Sequence, residues 1–310
     1  MSTEPVTATT PGTAPGPDPR VTVAVITRDR CAGLLRTLDA LAALPERPPV
    51  VVVVDNSRGD STWRAVRGHP AITRLLRPDV NTGALGRNLA ARHARTPYVA
   101  FSDDDSWWTA GSLRHAADLL DRHPRLGLLA ARTLVGHEAA DDPLNAVLAT
   151  SPLPCEPDLP GRPVLGFLGC ACVVRREAFL RVGGYHPLLS FGGEETLLAY
   201  DLAAGGWGVV YEPDLLACHH PDQGERTGRP AVVRRNQVLT TCLRRPWPVA
   251  LRAGAALALA AALGRPGARR ALKETAVRLP AAVARRRTLP PHVERAARLL
   301  DGRTAGGGAG

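Results

Sequence analysis

Three consecutive aspartates follow the apolar run Tyr98–Ser102. Carboxylates in a row repel one another, so Asp103, Asp104 and Asp105 indicate that a cation lies among them. If the three alternate as in a strand, Asp103 and Asp105 point to one face and can share a divalent cation, which would also hold a diphosphate. The alternative is that one of these carboxylates caps the helix that follows Ser106.

A second polar segment has the composition of a phosphate site. Asn81, Thr82 and Gly83 open the predicted helix Gly83–Ala94, so free backbone N–H groups and the positive end of the helix dipole are available there. Arg87 lies one turn into that helix. Together these features favour a bound phosphate, whereas the alternative for Arg87 is a solvated surface side chain.

Two adjacent glutamates mark a third candidate position. Gly192 and Gly193 allow the chain to approach a ligand closely, and Glu194 and Glu195 follow them at the start of the predicted helix Glu194–Ala204. Either glutamate can therefore lie beside a bound ligand. The alternative is a helix cap or a first-turn charge, which stabilises a helix by about 0.3–1 kcal/mol.

The segments around these positions alternate between strand and helix patterns. Val21–Thr27 and Val50–Val54 are continuous β-branched runs, which are typical of strands buried on both faces of a parallel sheet. Between them, leucines recur at helical spacing within Cys31–Leu44. The alternation continues with helices at Thr62–Gly68, Gly83–Ala94 and Gly111–Arg122 and strands at Ile72–Leu76 and Tyr98–Ser102. This pattern predicts an α/β fold with a doubly wound, mostly parallel sheet.

The later part of the sequence is less regular. We interpret 141–163, which is rich in proline and aspartate, as an irregular excursion. Strands are predicted at Val164–Val174, Trp207–Tyr211 and Leu215–His219, and helices at Arg176–Val182 and Glu194–Ala204. After Gly224 the sequence turns to Ala/Leu/Arg helices, with breaks expected at Pro246, Pro248, Pro266, Pro280 and Pro290–Pro291.

Polar residues end three of the predicted strands. Thr27 and Arg30 follow the first strand, Asp55 follows the second, and the three aspartates follow the fourth. Ligands of open α/β sheets bind outside the carboxyl ends of the strands. We therefore expect these side chains to gather at one edge of the sheet, around one ligand.

The order of these motifs resembles that of the family 2 glycosyltransferases. A β-branched strand ending in T-x-x-R is followed by V-V-D-N-S, N-x-G-x-x-x-R-N, D-D-D and G-G-E-E, and the resemblance covers roughly Val21 to His220. It implies the Rossmann-like GT-A fold, a nucleotide-diphosphosugar donor, Mg²⁺ or Mn²⁺ on a D-x-D motif, and transfer with inversion to an acceptor hydroxyl of a glycan, a lipid-linked sugar or a secondary metabolite.

The resemblance also implies roles for individual residues. Those matching the donor-nucleotide site are Thr27, Arg30, Asp55, Asn81, Gly83, Arg87 and Asp104, and those matching the metal site are Asp103, Asp105 and His219. The family usually has Glu-Asp where this sequence has Glu194-Glu195, and its second carboxylate is the catalytic base. We favour Glu195 and keep Glu194 as the alternative. His219 and His220 both remain candidates for the metal or the diphosphate, and an exposed loop histidine is the alternative.

Other functions that this fold supports are less well matched. A sugar-phosphate nucleotidyltransferase needs a Gly-rich loop after the first strand, but Thr27–Gly33 has a single glycine. The G-x-G-x-x-G of an NAD-dependent oxidoreductase is absent, and Trp107 breaks the D-x-D-x-[TV] of an aspartyl phosphatase. A non-catalytic protein that binds sugar nucleotides or polysaccharides stays open as an alternative.

Charge is distributed unevenly along the 310 residues, whose net charge is +10. Residues 1–225 hold 21 basic and 26 acidic side chains, a net of −5, whereas residues 226–310 hold 18 and 3, a net of +15. This distribution argues against a nucleic-acid partner. Basic helices such as Gly267–Arg278 and Ala281–Arg287 suit an anionic membrane surface or a lipid phosphate, and the alternative is a solvated helical cap.

These features predict three parts and a location. We expect a disordered leader at 1–19, a GT-A catalytic domain at 20–225 and a basic α-helical extension at 226–310 with a flexible Gly-rich end.

Six cysteines without a C-x-x-C pair are typical of the reducing cytosol. The twelve apolar residues at 253–264 are fewer than the ~20 that span a bilayer. We therefore expect a cytoplasmic protein, peripheral on the inner face of the membrane if the basic helices bind lipid.

Overall fold

The computed structural model describes residues 18–48, 50–55, 59–189, 191–221 and 228–306, and only the backbone of 50–55 and 303–306. The strands are β1 Val21–Thr27, β2 Val50–Asp55, β3 Arg74–Leu76, β4 Tyr98–Asp103, β5 Ser106–Trp108, β6 Leu126–Val135, β7 Ala140–Asp141, β8 Arg162–Pro163, β9 Cys172–Arg175 and β10 Gly208–His219. The helices are α1 Cys31–Ala42, α2 Ser61–Val66, α3 Leu85–His93, α4 Ser112–Arg122, α5 Pro143–Ala149, α6 Arg176–Arg181, α7 Glu195–Ala204, α8 Arg229–Arg244, α9 Trp247–Ala262, α10 Ala268–Ala284 and α11 Pro291–Gly306.

The strands form one mixed, mostly parallel open sheet in the order β3-β2-β1-β4-β9-β6-β10-β5, with β7 beside β6 and β8 beside β10. β1 is parallel to both β2 and β4, and β2 is parallel to β3. β9 runs antiparallel between β4 and β6. The predicted doubly wound fold is therefore confirmed, with one reversed strand near the middle of the sheet.

Helices cover both faces of the sheet, and this explains the continuous apolar runs. All seven residues of β1 are buried. Ala24 and Ile26 face a core that also contains Phe179, while Val23 and Val25 face the opposite core with Leu34. Alternate side chains of a strand point to opposite faces, so a strand buried on both sides needs apolar residues at every position.

Leu126–Val135 is a ten-residue strand in the interior of the sheet that no sequence pattern predicts. Leu128 and Ala130 belong to one core, and Leu129 and Ala131 to the other. The sequence of this strand, LGLLAARTLV, has few β-branched residues. Leucine and alanine favour helices in isolation, so this strand depends on burial between β9 and β10 rather than on local propensity.

Other element boundaries also differ from the predictions. The two strands expected at 207–211 and 215–219 are one strand, β10, with a register shift between Glu212 and Leu216. The strand expected at 164–174 is limited to β9. The excursion at 141–163 contains α5, in which Asp142 accepts a hydrogen bond from the Leu144 N–H at 2.8 Å and Pro143 occupies the first turn.

The C-terminal helices pack onto the rest of the fold through a third core. In that core, Leu239, Leu243 and Leu257 pack with Leu189 and Leu197. The break expected at Pro280 does not occur. This proline lies inside α10, near the C-terminal end of the helix. In the described residues, no helix combines the length and the apolar character that a membrane span requires.

A partly buried ion pair joins the two parts of the chain. Arg244 of α8 donates to both carboxylate oxygens of Asp201 of α7, from Nε at 2.5 Å and from Nη2 at 2.9 Å. The side chains of Arg244 and Asp201 are only 8% and 13% exposed. A pair this shielded from water is strongly coupled to the fold, because removing one partner leaves a charge uncompensated.

We expect Asp201→Asn to lower the free energy of unfolding by roughly 3 kcal/mol, because Arg244 then lacks its counter-charge. Glu177→Gln is the control, since its pair with Arg181 on α6 is exposed on both sides. That change should cost less than about 0.5 kcal/mol. Urea denaturation followed by circular dichroism measures both values, and equal losses would contradict the prediction.

Candidate active site

The loop after β1 is tied to the acidic turn after β4. Asp103 ends β4, and Asp104 and Asp105 occupy the turn before β5, so the strand alternation expected for Asp103 and Asp105 does not apply. Thr27 Oγ1 donates to Asp104 Oδ2 at 2.7 Å. Arg30 Nη1 donates to Asp104 Oδ1 at 2.6 Å and to Asp105 Oδ2 at 2.8 Å. The expected gathering of these strand-end residues is thus present in the structure.

Asp104 points into the protein rather than toward solvent. Its burial raises its pKa to about 7, and the Thr27 hydrogen bond and the charge of Arg30 oppose this rise. A Cβ atom on Gly33 would lie 2.8 Å from the Asp104 carbonyl oxygen, so α1 approaches the turn closely at a glycine. Asp104 therefore holds Thr27 and Arg30 in place beside the turn.

The end of β10 brings both histidines to the same turn. His219 Nε2 lies 3.6 Å from Asp105 Oδ1, and the His220 N–H donates to the Asp105 carbonyl oxygen at 2.7 Å. The ring of His220 packs on Trp107, with 4.6 Å between ring centroids, and on His137, with 4.7 Å. His219 thus presents its side chain to the carboxylate, while His220 supports the backbone of the turn.

Arg87 forms the centre of a second group of side chains. It is only 2% exposed, and its Nη2 donates to Asp103 Oδ1 at 2.5 Å. The guanidinium carbon lies 5.5 Å from the centre of the Tyr185 ring and 5.4 Å from that of the Phe191 ring. Burial disfavours the charge, but Asp103, Tyr185 and nearby acidic groups outweigh it and raise the pKa of Arg87.

Arg87 and Glu195 both lie close to Gly169. A Cβ atom at Gly169 would lie 3.3 Å from both the Arg87 guanidinium and Glu195 Oε1. Any larger residue at this position would therefore crowd both groups. Arg87 consequently binds Asp103 of the acidic turn and lies near Glu195.

The two glutamates differ in their surroundings. Glu194 is buried and accepts a hydrogen bond from the Gly192 N–H, and burial together with the neighbouring Glu195 raises its pKa to about 8. Glu195 is half-buried at the first position of α7. Desolvation also raises the pKa of Glu195, while Arg87 and backbone N–H groups lower it. Glu194 thus fastens its own loop, and Glu195 faces Arg87.

The remaining predicted residues lie at the rim of this group. Asn81 is exposed and its Oδ1 accepts from the Gly83 N–H at 3.0 Å, and α3 begins at Leu85 rather than at Gly83. Gly83 has a φ of +54° and lies against the Phe191 ring. The backbone of Asp55 pairs with Thr27 at the end of β2, but its side chain lies outside the described residues.

Tyr185 and Asn88 belong to the site although no sequence pattern predicts a role for either. Asn88 Nδ2 donates to the Tyr185 carbonyl oxygen, and the Tyr185 N–H donates to Asn88 Oδ1, each at 2.8 Å. This pair of bonds fixes the Tyr185 ring against Arg87. The R-N dipeptide in the N-x-G-x-x-x-R-N motif contained Asn88, but no local signal links it to a residue 97 positions later.

The donor set suits a divalent cation that shares its ligands with a substrate. Among the residues that the structure describes, no three His, Cys, Asp or Glu side chains form a ready ligand cluster. Asp103 is paired with Arg87, and Asp105 with Arg30. Mg²⁺ is usually held by one or two carboxylates together with substrate phosphates and water. Asp103 and Asp105 therefore fit an ion that takes its other ligands from a diphosphate.

Known proteins share both the sequence pattern and the fold. The sequence model described as "Glycosyl transferase family 2" matches residues 22–183. The chain is 31% identical over 229 residues to an N-acetylglucosaminyl-diphospho-decaprenol L-rhamnosyltransferase found in two strains of Mycobacterium tuberculosis, covering 63% of this chain and 74% of the relative.

Solved structures extend the similarity of fold. A mannosyltransferase from Pyrobaculum calidifontis, in complex with GDP-Man and Mn²⁺, is 24% identical with a TM-score of 0.56, over 93% of this chain and 80% of the other. S. aureus TarS 1–349 in complex with UDP-GlcNAc is 16% identical with a TM-score of 0.56, over 72% and 65%. GalNAc-T7 with UDP, GalNAc and Mn²⁺ is 15% identical with a TM-score of 0.53, over 72% and 47%. With the motif order and the sheet topology, these similarities show that the chain is a glycosyltransferase of family 2 with the GT-A fold.

Proposed function

We propose that this glycosyltransferase moves a sugar from a nucleotide-diphosphate donor to an acceptor hydroxyl, with inversion at the anomeric carbon. The observation that carries the proposal is the meeting of two groups at Arg87. On one side lies the acidic turn, through Asp103, and on the other lie the buried Glu194 and the half-buried Glu195. A leaving diphosphate needs a positive charge beside it, and an attacking hydroxyl needs a base. In the proposed reaction the acidic turn with its cation and Arg87 meet the first need, and a glutamate meets the second.

The donor end of the site rests on the acidic turn. Mg²⁺ or Mn²⁺ held by Asp103 and Asp105, with His219 beside Asp105, would supply positive charge to the leaving diphosphate. The support is the fit of the carboxylates and the Mn²⁺ in two related structures. Arg87 adds a fixed positive charge, and its buried Nε and Nη1 have no acceptor within the described part of the chain.

Glu195 is the better candidate for the general base. Glu194 is buried and accepts from the Gly192 N–H, whereas Glu195 is half-buried and lies near Arg87. In the proposed reaction Glu195 takes the proton of the acceptor hydroxyl, whose oxygen attacks the anomeric carbon opposite the diphosphate. A base must be ionised before it accepts a proton, so activity should rise as the pH rises through its pKa.

We propose a lipid-linked acceptor at an anionic membrane surface. The relative from M. tuberculosis is named for N-acetylglucosaminyl-diphospho-decaprenol. In this chain, Leu251, Leu259 and Leu263 lie four or eight residues apart in and just after α9, and each is more than 60% exposed. The only charged residue of α9 is Arg252, and Arg265 follows the helix. An exposed apolar stripe beside arginines complements a bilayer that contains anionic lipid.

The donor proposal is tested by a screen of UDP-, dTDP- and GDP-sugars with Mn²⁺. We expect one class to raise the melting temperature and to be hydrolysed slowly. Asp105→Asn should reduce turnover by about 100-fold or more, because the cation that would offset the charge of the leaving diphosphate loses a carboxylate ligand. Asp214→Asn, on an exposed part of β10, is the control. Stabilisation by no nucleotide diphosphate, or full turnover in Asp105→Asn, would contradict the proposal.

The assignment of the base is tested by the pH dependence of kcat between pH 5 and 9. We expect Glu195→Gln to lose about 10²- to 10⁴-fold in kcat, which is the usual contribution of a general base. Glu194→Gln should keep activity and shift the acidic limb to lower pH, because removing a neighbouring negative charge eases the ionisation of Glu195. The reverse outcome would assign the base to Glu194.

The membrane proposal is tested with the triple substitution Leu251→Ser, Leu259→Ser and Leu263→Ser. We expect wild-type protein to sediment with vesicles containing phosphatidylglycerol, less so at high salt, and the variant to bind at least about tenfold more weakly, since each buried leucine contributes roughly 1.5–3 kcal/mol. Leu299→Ser, an exposed apolar residue on α11, is the control. Equal binding of wild-type and triple variant would rule out this face.

A further inference from the structure

The loop that carries the glutamate pair is held at both backbone polar groups of one residue, Gly192. Gly192 and Gly193 have φ values of +110° and +89°, which favour glycine. The Gly192 N–H donates to Glu194 Oε2, and the Gly192 carbonyl oxygen accepts from Asn236 Nδ2 at 3.0 Å. Asn236 belongs to α8, so a residue of the C-terminal extension contacts the backbone next to the site.

Asn236 is itself held in a single orientation. It is fully buried, and its Oδ1 accepts from Arg235 Nε at 3.0 Å and from Arg235 Nη2 at 2.8 Å. Since the oxygen faces the guanidinium, the amide nitrogen must face Gly192. Arg235 Nη1 in turn donates to Glu274 Oε2 of α10 at 2.5 Å. We name the line formed by Glu274, Arg235 and Asn236 the Gly192 brace.

Side-chain packing leaves the loop no space on the side of α8. A Cβ atom at Gly192 would lie 3.0 Å from Val233 Cγ2. A loop that is fixed by a hydrogen bond and by direct van der Waals contact has few alternative positions. The residue before Gly192 is Phe191, whose ring lies on Arg87. Three residues after Gly192, Glu195 begins α7.

We propose that Asn236 is a positioning residue for transfer. By fixing the Gly192 carbonyl it sets the place of Glu195 relative to Arg87, and Glu274 acts through Arg235 to fix the Asn236 amide. The C-terminal extension therefore completes the active site and is required for activity even where no membrane is present. The catalytic consequence rests on the proposed function, whereas the structural contact does not.

Asn236→Asp removes the hydrogen bond to Gly192 but keeps the contact with Arg235, so it tests the brace without a large loss of stability. The carboxylate still accepts from Arg235 but cannot donate to the Gly192 carbonyl, which it repels. We expect kcat to fall about 10- to 100-fold, which a displacement of about 1 Å causes in an oriented site, with the Kd of the nucleoside diphosphate unchanged. Gln237→Ala, the exposed next residue of α8, is the control and should stay within about twofold.

Glu274→Gln provides a second variant at a distance from the site. It weakens the hold on Arg235, so we expect a smaller fall in kcat, and the double variant should lose less than the sum of the two single effects. Additive losses would overturn the proposal. A kcat that stays at the wild-type value would also overturn it. So would a fall in kcat that comes with weaker nucleotide binding and a lower melting temperature, because that pattern indicates a general loss of structure.

Hydrogen exchange tests the contact without a substrate. In Asn236→Asp the amides of residues 191–195 should exchange faster than in wild-type protein, while those in the middle of α8 should not. If wild-type protein transfers no sugar, the proposed function fails and this measurement alone decides the brace. Unchanged exchange at 191–195 would overturn the brace whatever the activity.

Discussion

A buried arginine, held by a carboxylate at a strand end, is the interaction on which the rest of the site depends. Arg87 has almost no contact with water, so its charge must be balanced inside the protein. Asp103 provides that balance, while Tyr185 and Phe191 contact the guanidinium through their rings. Four distant segments must therefore reach the same place before the cation can be buried: the end of β4, helix α3, the segment at 185 and the loop at 191–195.

Local sequence signals predicted one half of this arrangement well. β1, β2 and β4 are β-branched or aromatic runs, and parallel strands bring their carboxyl ends to one edge, so the contacts of Thr27 and Arg30 with the aspartates follow from the pattern. β6 has helix-forming residues and becomes a strand only through burial. Arg87 and Glu195 lie close to Gly169, shortly before the reversed strand β9, and neither feature leaves a periodic signal.

The net charge of the C-terminal extension overstates its surface charge. Arg235, Arg244 and Arg245 are buried in ion pairs with Glu274, Asp201 and Glu294, respectively, so they serve the interior. Their cost of burial is offset only because the carboxylates are close and well oriented. Charge counted along a sequence cannot separate such side chains from exposed ones. These arginines therefore have a role beyond forming a solvated cap or binding a membrane surface. Arg244, for example, joins the extension to α7 through Asp201.

The same contacts that place the two glutamates also set their ionisation. Burial raises the pKa of both, whereas Arg87 and backbone N–H groups, including that of Gly192 for Glu194, lower it. Each of these opposing contacts depends on the position of the loop at 191–193, which α8 determines through Asn236. Geometry and proton affinity at this site are consequently linked, since any displacement of the Gly192 peptide alters the hydrogen bond to one carboxylate and the distance from Arg87 to the other. The helical extension therefore influences the ionisation of two glutamates that precede it in the sequence.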